Sequence, residues 1–296
     1  MNPRRLLPSR VSAWLRERPR WKAYARQREA NALASSAKRL DLCAAQMAHL
    51  LHTSGHTGLQ GNTCIEIGSG RILGYALTCH LLGAKRIIAT DLSPLAAPAA
   101  LRVALQGSTP YFVRDILSPF EDHHIIRQRL NRLLAVTDWS FQSLLDLGIE
   151  YRAPHDFSKA PLGVAADFMY SFSVLEHVVT SEVSPLLNCL AEDLKPGGVM
   201  MHAIHLEDHL NTATDPFAFL GSVSFSRNEE SERGNRLRRS QWQKIFAQIP
   251  GLESRIFYEW QRSDAPLPAH ISAAVAFSDE RDLRVSHLGV CSKRNR

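Results

Sequence analysis

The sequence predicts an open α/β fold on a mostly parallel sheet, and three observations carry that prediction. The segment Cys64 to Pro94 reads as an apolar strand, a glycine turn, a helix and a second apolar strand ending on an acid. Further strand-like runs follow in order at Ile149 to Arg152, from Asp167, and at Val199 to Leu206, with helical stretches between them. Ile256 to Trp260 and Val285 to Ser292 then close the sheet as an antiparallel pair. The chain has 296 residues, 45% of them hydrophobic and 22% charged, enough to bury one large core carrying appendages.

Residues 1–60 are expected to form a basic helical extension. Met1 to Arg39 holds 11 Lys and Arg against Glu17 and Glu29, while the whole chain is only +6, so the positive charge is concentrated at this end. Such an arm could grip nucleic acid or an acidic surface, or be a solvated helix whose Trp14, Leu15, Trp21 and Tyr24 pack on the domain. It is arginine-rich and acid-poor, as mitochondrial presequences are, and it lacks the apolar core of a secretory signal. Leu40 to Leu51 is apolar at helical spacing and is expected against the sheet edge or over the mouth at the strand ends, and His52 to Gly61 is a turn-rich connection. Leu95 to Leu105 is an alanine-rich helix. Gln106 to Leu147 is an insertion whose helices, Ile125 to Val136 and Phe141 to Leu147, are expected to form a cap. The strand at Ile149 ends in the turn Ala153 to Asp156. Pro196 and Gly197-Gly198 are expected to stop a helix before the strand Val199 to Leu206. Ser240 should cap a helix over Gln241 to Gln248.

The five cysteines are scattered without a C-x-x-C spacing, which suits a reducing cytoplasm. No apolar run reaches the roughly 18 residues that a membrane span needs, so no span is expected.

The glycine turn carries the chemistry. Gly68-Ser69-Gly70 lets the backbone turn sharply and approach a ligand, and Asp91 closes the second strand 21 residues after Gly70, where a carboxylate can accept both hydroxyls of a ribose. A dinucleotide site would want G-x-G-x-x-G, but the third position is Leu73. Glu66, two places before the first glycine, would repel a pyrophosphate and could hold an ammonium. This block, E-x-G-x-G at Glu66, Gly68 and Gly70, resembles motif I of class I S-adenosylmethionine-dependent methyltransferases. So do the L-E-H-V of Leu175 to Val178 and the LAEDLKPGG of Leu190 to Gly198. The resemblance covers Asn62 to Leu206 well.

The resemblance implies a Rossmann-like class I methyltransferase sheet, mostly parallel with an antiparallel C-terminal strand, and S-adenosyl-L-methionine as cofactor. Expected at the cofactor are Glu66, Gly68, Ser69, Gly70, Asp91, Leu92, Asp156, Ser171 and Phe172, with Asp156 on the adenine and Ser171 or Phe172 on the methionine part. Glu176 and His177 are expected between cofactor and acceptor. His177, His205 and His209 are candidate bases, because an imidazole titrates near neutrality. His205, Asp208 and His209 could also supply metal ligands, but no matching Cys or His pair is visible elsewhere, so no metal is expected. Asp208 and Arg238 are candidate acceptor-binding residues, and Arg236 or Arg239 could replace Arg238 in forking a carboxylate or phosphate. His202 to His209, together with Gly234 to Trp242, resembles a subset of these methyltransferases from bacterial polysaccharide and natural-product pathways, which implies a lid over residues 207–239 with Phe217, Phe219 and Phe225 as anchors and Arg227 to Gly234 as hinge. In-line transfer to an oxygen or nitrogen of a small molecule is the expected reaction. Two alternatives stay open: consumption of the cofactor's amino acid arm with release of methylthioadenosine, and RNA methylation through the basic arm. No nucleic-acid partner is expected, and the sequence leaves the oligomeric state undetermined.

Overall fold

A computed structural model describes residues 39–295, so the basic arm before Arg39 lies outside the described residues. Seven strands form one sheet: β1 (Thr63–Ile67), β2 (Arg86–Thr90), β3 (Ile149–Arg152), β4 (Ala166–Phe172), β5 (Leu194–His205), β6 (Leu252–Gln261) and β7 (Val285–Arg294). Their order is β3-β2-β1-β4-β5-β7-β6. The first five are parallel, and β7 inserts antiparallel between β5 and β6. This is the mostly parallel sheet with antiparallel C-terminal strands that the sequence predicts.

Because strand side chains alternate faces, each central strand feeds two cores. Cys64, Phe168 and Tyr170 face one layer, made of α1 (Arg39–Ser54), α2 (Gly74–Leu81) and the inserted helices. Ile65, Ile67 and Met169 face the other, made of α7 (Thr180–Asp193) and α9 (Arg239–Ala247). Leu40, Met47, Leu50 and Leu51 of α1 are fully buried, each contributing about 1.5–3 kcal/mol. Helix α3 (Pro98–Gln106) starts on Pro98 and precedes the insertion, which contains α4 (Pro110–Leu117), α5 (His123–Leu134) and α6 (Phe141–Asp146). Of these α4 was not anticipated. Val113, Leu117, Ile126, Leu130, Leu133 and Leu144 pack into the same core as α1 and α2. The insertion is therefore a packing layer on one face of the sheet, not a cap over a cavity.

Other boundaries differ for local reasons. Helix α7 ends at Asp193, before Pro196, because the chain enters β5 at Leu194. Pairing then jumps from Ala166–Leu194 to Phe168–Val199, and Gly197 at φ 81° takes up the extra residues as a bulge. The expected hinge is helix α8 (Arg227–Arg233), whose capping box joins Ser226 and Glu229. Ser240 lies inside α9 and bonds Asp282 instead of capping the helix. Phe217 and Phe219 are buried with Leu220, Ala265, Val275 and Leu283 in a third, smaller core.

Candidate functional site

Strand order reverses between β1 and β4, and the loops leaving their carboxyl ends separate there, the usual place for a ligand in an open α/β sheet. A cavity of about 450 Å³ lies at this point. Gly68 and Gly70 form one side, Thr90, Asp91 and Leu92 the next, and His155, Asp156 and Phe157 follow from the turn after β3. Ser173, Val174, His177, Val178 and Leu186 complete it. Gly68 has φ 71°, and a Cβ placed on it would stand 2.5 Å from Val174 Cγ2, so only glycine lets the two loops approach this closely. Leu73, at the position of the missing third glycine, takes φ 51° and precedes α2.

Asp91 is held ready for a ligand. The Gly70 amide donates to its Oδ1 at 3.2 Å and the Tyr151 hydroxyl to its Oδ2 at 3.1 Å. Burial raises its pKa against these two bonds. Glu66 lies beneath, 2% exposed, and takes a bond from the Tyr170 hydroxyl at 3.3 Å. Burial and then the Asp91 charge push it up to about 8. Asp156 is tied by Ser158 at 2.6 Å and Lys159 at 2.7 Å.

Among the candidate cofactor residues, Gly68, Gly70, Asp91, Leu92 and Asp156 line the cavity. Glu66 and Ser69 are buried just behind it. Ser171 does not reach it. It is fully buried and shares a 2.8 Å bond with His202 Nδ1, because two-residue alternation turns it into the core. Phe172 stacks on Tyr75 at 4.0 Å and is likewise off the cavity wall. Ser173 and Val174, just past the strand, occupy the place expected of them. Sequence reading also missed Tyr151, whose hydroxyl takes the amides of Leu95 and Ala96 while donating to Asp91. An in-register partner of β2 that ends beside Asp91 was the available signal.

The two acceptor-binding candidates are structural. Asp208 is fully buried and paired with Arg233 at 2.6 Å. Arg238 is fully buried and donates to the carbonyls of Leu206, Leu283 and Val285. Arg236 stacks over Phe225 and Arg239 pairs with Glu259 at 3.1 Å, so neither is a free fork.

Of the three candidate bases, His177 alone lines the cavity, and its Nδ1 meets the Ser231 carbonyl at 2.8 Å. Burial lowers its pKa, and Glu176 partly opposes this. His209 packs 4.3 Å behind His177, His205 packs 4.6 Å from His209, and His287 stacks 4.4 Å from His205. Burial and then His205 bring His287 down to about 4. His205 Nε2 lies 2.6 Å from Glu207, which Arg262 also grips at 3.0 Å.

No protein-family model and no curated protein matches the chain. Among solved structures it resembles the N-methyltransferase NodS from Bradyrhizobium japonicum WM9, at 13% identity and a TM-score of 0.43, over 85% of this chain and 95% of that one. It also resembles a magnesium protoporphyrin IX methyltransferase from Synechocystis PCC 6803 with bound SAH, at 13% identity and 0.45, over 88% and 85%. A third is an S-adenosylmethionine dependent methyltransferase from Mesorhizobium loti, at 16% and 0.44, over 83% and 98%. Similarity at this level extends to neither activity nor substrate. No described helix is long and apolar enough to cross a membrane.

Proposed function

We propose that this chain is an S-adenosylmethionine-dependent methyltransferase acting on a small molecule with an oxygen or nitrogen nucleophile. The observation that carries this reading is the switch-point cavity, where the Gly68 to Gly70 turn meets the Asp91 carboxylate above a second, buried carboxylate, Glu66. The residues fit that cofactor. Asp91 has the position to accept ribose hydroxyls, and Asp156 stands on the wall beside Phe157 for an exocyclic amine. Glu66, held up at about 8 without a cation, is a carboxylate that an ammonium would keep charged. Glu66, behind the glycine turn, offers nothing to a pyrophosphate.

When bound, the cofactor supplies a methyl carbon made electrophilic by its sulfonium. The chain's own task is alignment and exclusion of water, and Val174, Val178 and Leu186 give the cavity an apolar wall for both. If His177 Nδ1 carries the proton it gives to the Ser231 carbonyl, Nε2 is left as acceptor for a proton from the nucleophile. We place His177 in that role by position, as the candidate base on the cavity wall.

The test is mass spectrometry of the purified protein with S-adenosylmethionine alone, beside Asp91→Ala and a blank without enzyme. S-adenosylmethionine or S-adenosylhomocysteine that stays with the parent protein through desalting, and is absent from desalted Asp91→Ala, supports the reading and moves the search to acceptors. Methylthioadenosine above both controls overturns methyl transfer in favour of consumption of the amino acid arm. No binding by either protein overturns the cofactor assignment.

A further inference from the structure

Behind the cavity wall, Glu176 of the 3₁₀ turn Leu175–His177 meets His205 at the end of β5 and His209 of the following loop. One ligand atom from each lies within 4.8 Å of the other two. We propose that these three residues bind a divalent transition cation of the zinc type. The inference is independent of the reaction proposed above, since it needs no methyl donor.

The strongest reason is the state of Glu176. It is 1% exposed, and among the described residues neither carboxylate oxygen has a hydrogen-bond partner. Every other buried carboxylate described has one. Asp193 takes the amides of Leu162, Gly163 and Val164, Asp208 takes Arg233, and Glu207 takes Arg262. Asp282 takes Ser240 and Ser278, Asp91 takes Gly70 and Tyr151, and Glu66 takes Tyr170. A buried carboxylate without donors is costly unless a cation stands against it, and buried charges are paired or coordinate metals. The nearest basic atom is His209 Nε2 at 3.5 Å, which is itself buried and has no hydrogen bond among the described residues. Two unsatisfied ligand-type atoms therefore face each other, and two tetrahedral ligands on one zinc stand about 3.4 Å apart.

The donor set selects the ion. Two imidazoles and one carboxylate suit zinc or iron(II), not magnesium or calcium, which want oxygen shells, nor copper(I), which wants sulfur. The surroundings hold the ligands in place, as metal sites require. Glu207, fixed by Arg262, grips His205 Nε2 at 2.6 Å. The Asn235 amide donates to the Glu176 carbonyl at 2.7 Å and its side chain to the carbonyls of Leu175 and Val178, pinning the turn. The His209 amide donates to the Arg233 carbonyl at 3.1 Å, and Arg233 also clamps Asp208, which pins the loop. Glu176 is the ligand that sequence reading could not supply. The candidate trio of His205, Asp208 and His209 fails because Asp208 is committed to Arg233.

The ion would sit one residue from the cavity, since His177 follows Glu176 and its ring lies 4.3 Å from His209. In that role His205 and His209 are neutral ligands, not bases.

The test uses the full chain, stripped with EDTA and desalted, titrated with Zn²⁺ by calorimetry and with Co²⁺ by visible absorption. We expect one saturable equivalent, a cobalt ligand-field band, and a higher melting temperature with zinc. Glu176→Gln, which keeps the side chain's size, and His209→Ala should each lower affinity at least tenfold. Without metal, Glu176→Gln should melt no lower than the parent, because a buried carboxylate without hydrogen bonds is gone, and it should gain nothing from zinc; that readout separates lost binding from lost folding. The exposed pair His123 and His124, whose rings lie 3.9 Å apart, is a competing site, so His123→Ala/His124→Ala should leave binding unchanged. The proposal is overturned if the parent binds no saturable equivalent. It is equally overturned if Glu176→Gln and His209→Ala bind as the parent does, or if the His123/His124 variant alone abolishes binding.

Discussion

Gly68→Ala tests the packing of the two loops that make the cavity. At φ 71° an alanine pays for the left-handed conformation, about 1–2 kcal/mol, offset by about 0.4–1 kcal/mol from the less flexible unfolded chain. Gly70, at φ 65°, carries the same two terms, and a Cβ there meets nothing within 4 Å. At Gly68 the Cβ would stand 2.5 Å, 2.9 Å and 3.3 Å from Val174 Cγ2, Cγ1 and Cβ, where ordinary carbon contacts are about 3.5–4.0 Å. Val174 must move by about 1 Å, an overpacking that costs about 1–3 kcal/mol. Gly68→Ala should therefore be less stable than Gly70→Ala by about 2 kcal/mol, or roughly 4–8 °C in melting temperature for a chain of this size. Thermal and urea melts of ligand-free protein measure it. Adding Val174→Ala should recover most of the difference in Gly68→Ala and none in Gly70→Ala. Equal losses in the two glycine variants, or no relief from Val174→Ala, would refute the close approach of these loops.

Arg238→Met should cost about 3 kcal/mol, since three buried carbonyls lose their donor at about 1–3 kcal/mol each while a buried charge is removed. S-adenosylhomocysteine affinity should be unchanged, and a selective loss of acceptor turnover at normal stability would restore a substrate role. Glu66, raised to about 8, contributes stability that is fully present below about 4.5 and is lost as pH rises through 8. Urea melts should show that slope in ligand-free protein and not in Glu66→Gln. The same raised pKa predicts proton release when a ligand ammonium binds near pH 7, read by calorimetry in buffers of different ionisation enthalpy. Burial holds His202 down at about 3, so the unfolded chain binds a proton that the folded one refuses between 6.5 and 3. Stability should fall with pH across that window, by up to about 5 kcal/mol, and His202→Gln should flatten the fall. An unaltered acid limb in His202→Gln would mean that other groups govern it.

The sequence by itself determined most of the strands and the cradle. Alternating and continuous apolar runs mark β1, β2 and β3, the antiparallel pair β6 and β7 is read from the same local period, and Gly68, Gly70 and Asp91 follow from strand-end chemistry within 24 residues. These features depend on neighbours along the chain, which a sequence displays directly. Only the tertiary structure decided which polar side chains serve the site. Ser171 and Ser173 are two residues apart, yet the end of β4 turns one to His202 and leaves the other on the cavity. Asp208 and Arg238 look like ligand-binding groups until Arg233 and the carbonyls of Leu206, Leu283 and Val285 claim them. The inserted helices look like a cap until their apolar faces find α1 and α2. Glu176 and His209 stand 33 positions apart and meet at 3.5 Å only because β5 returns beside β4. Burial and charge pairing are set by contacts between distant segments, and one sequence carries no local period that records them.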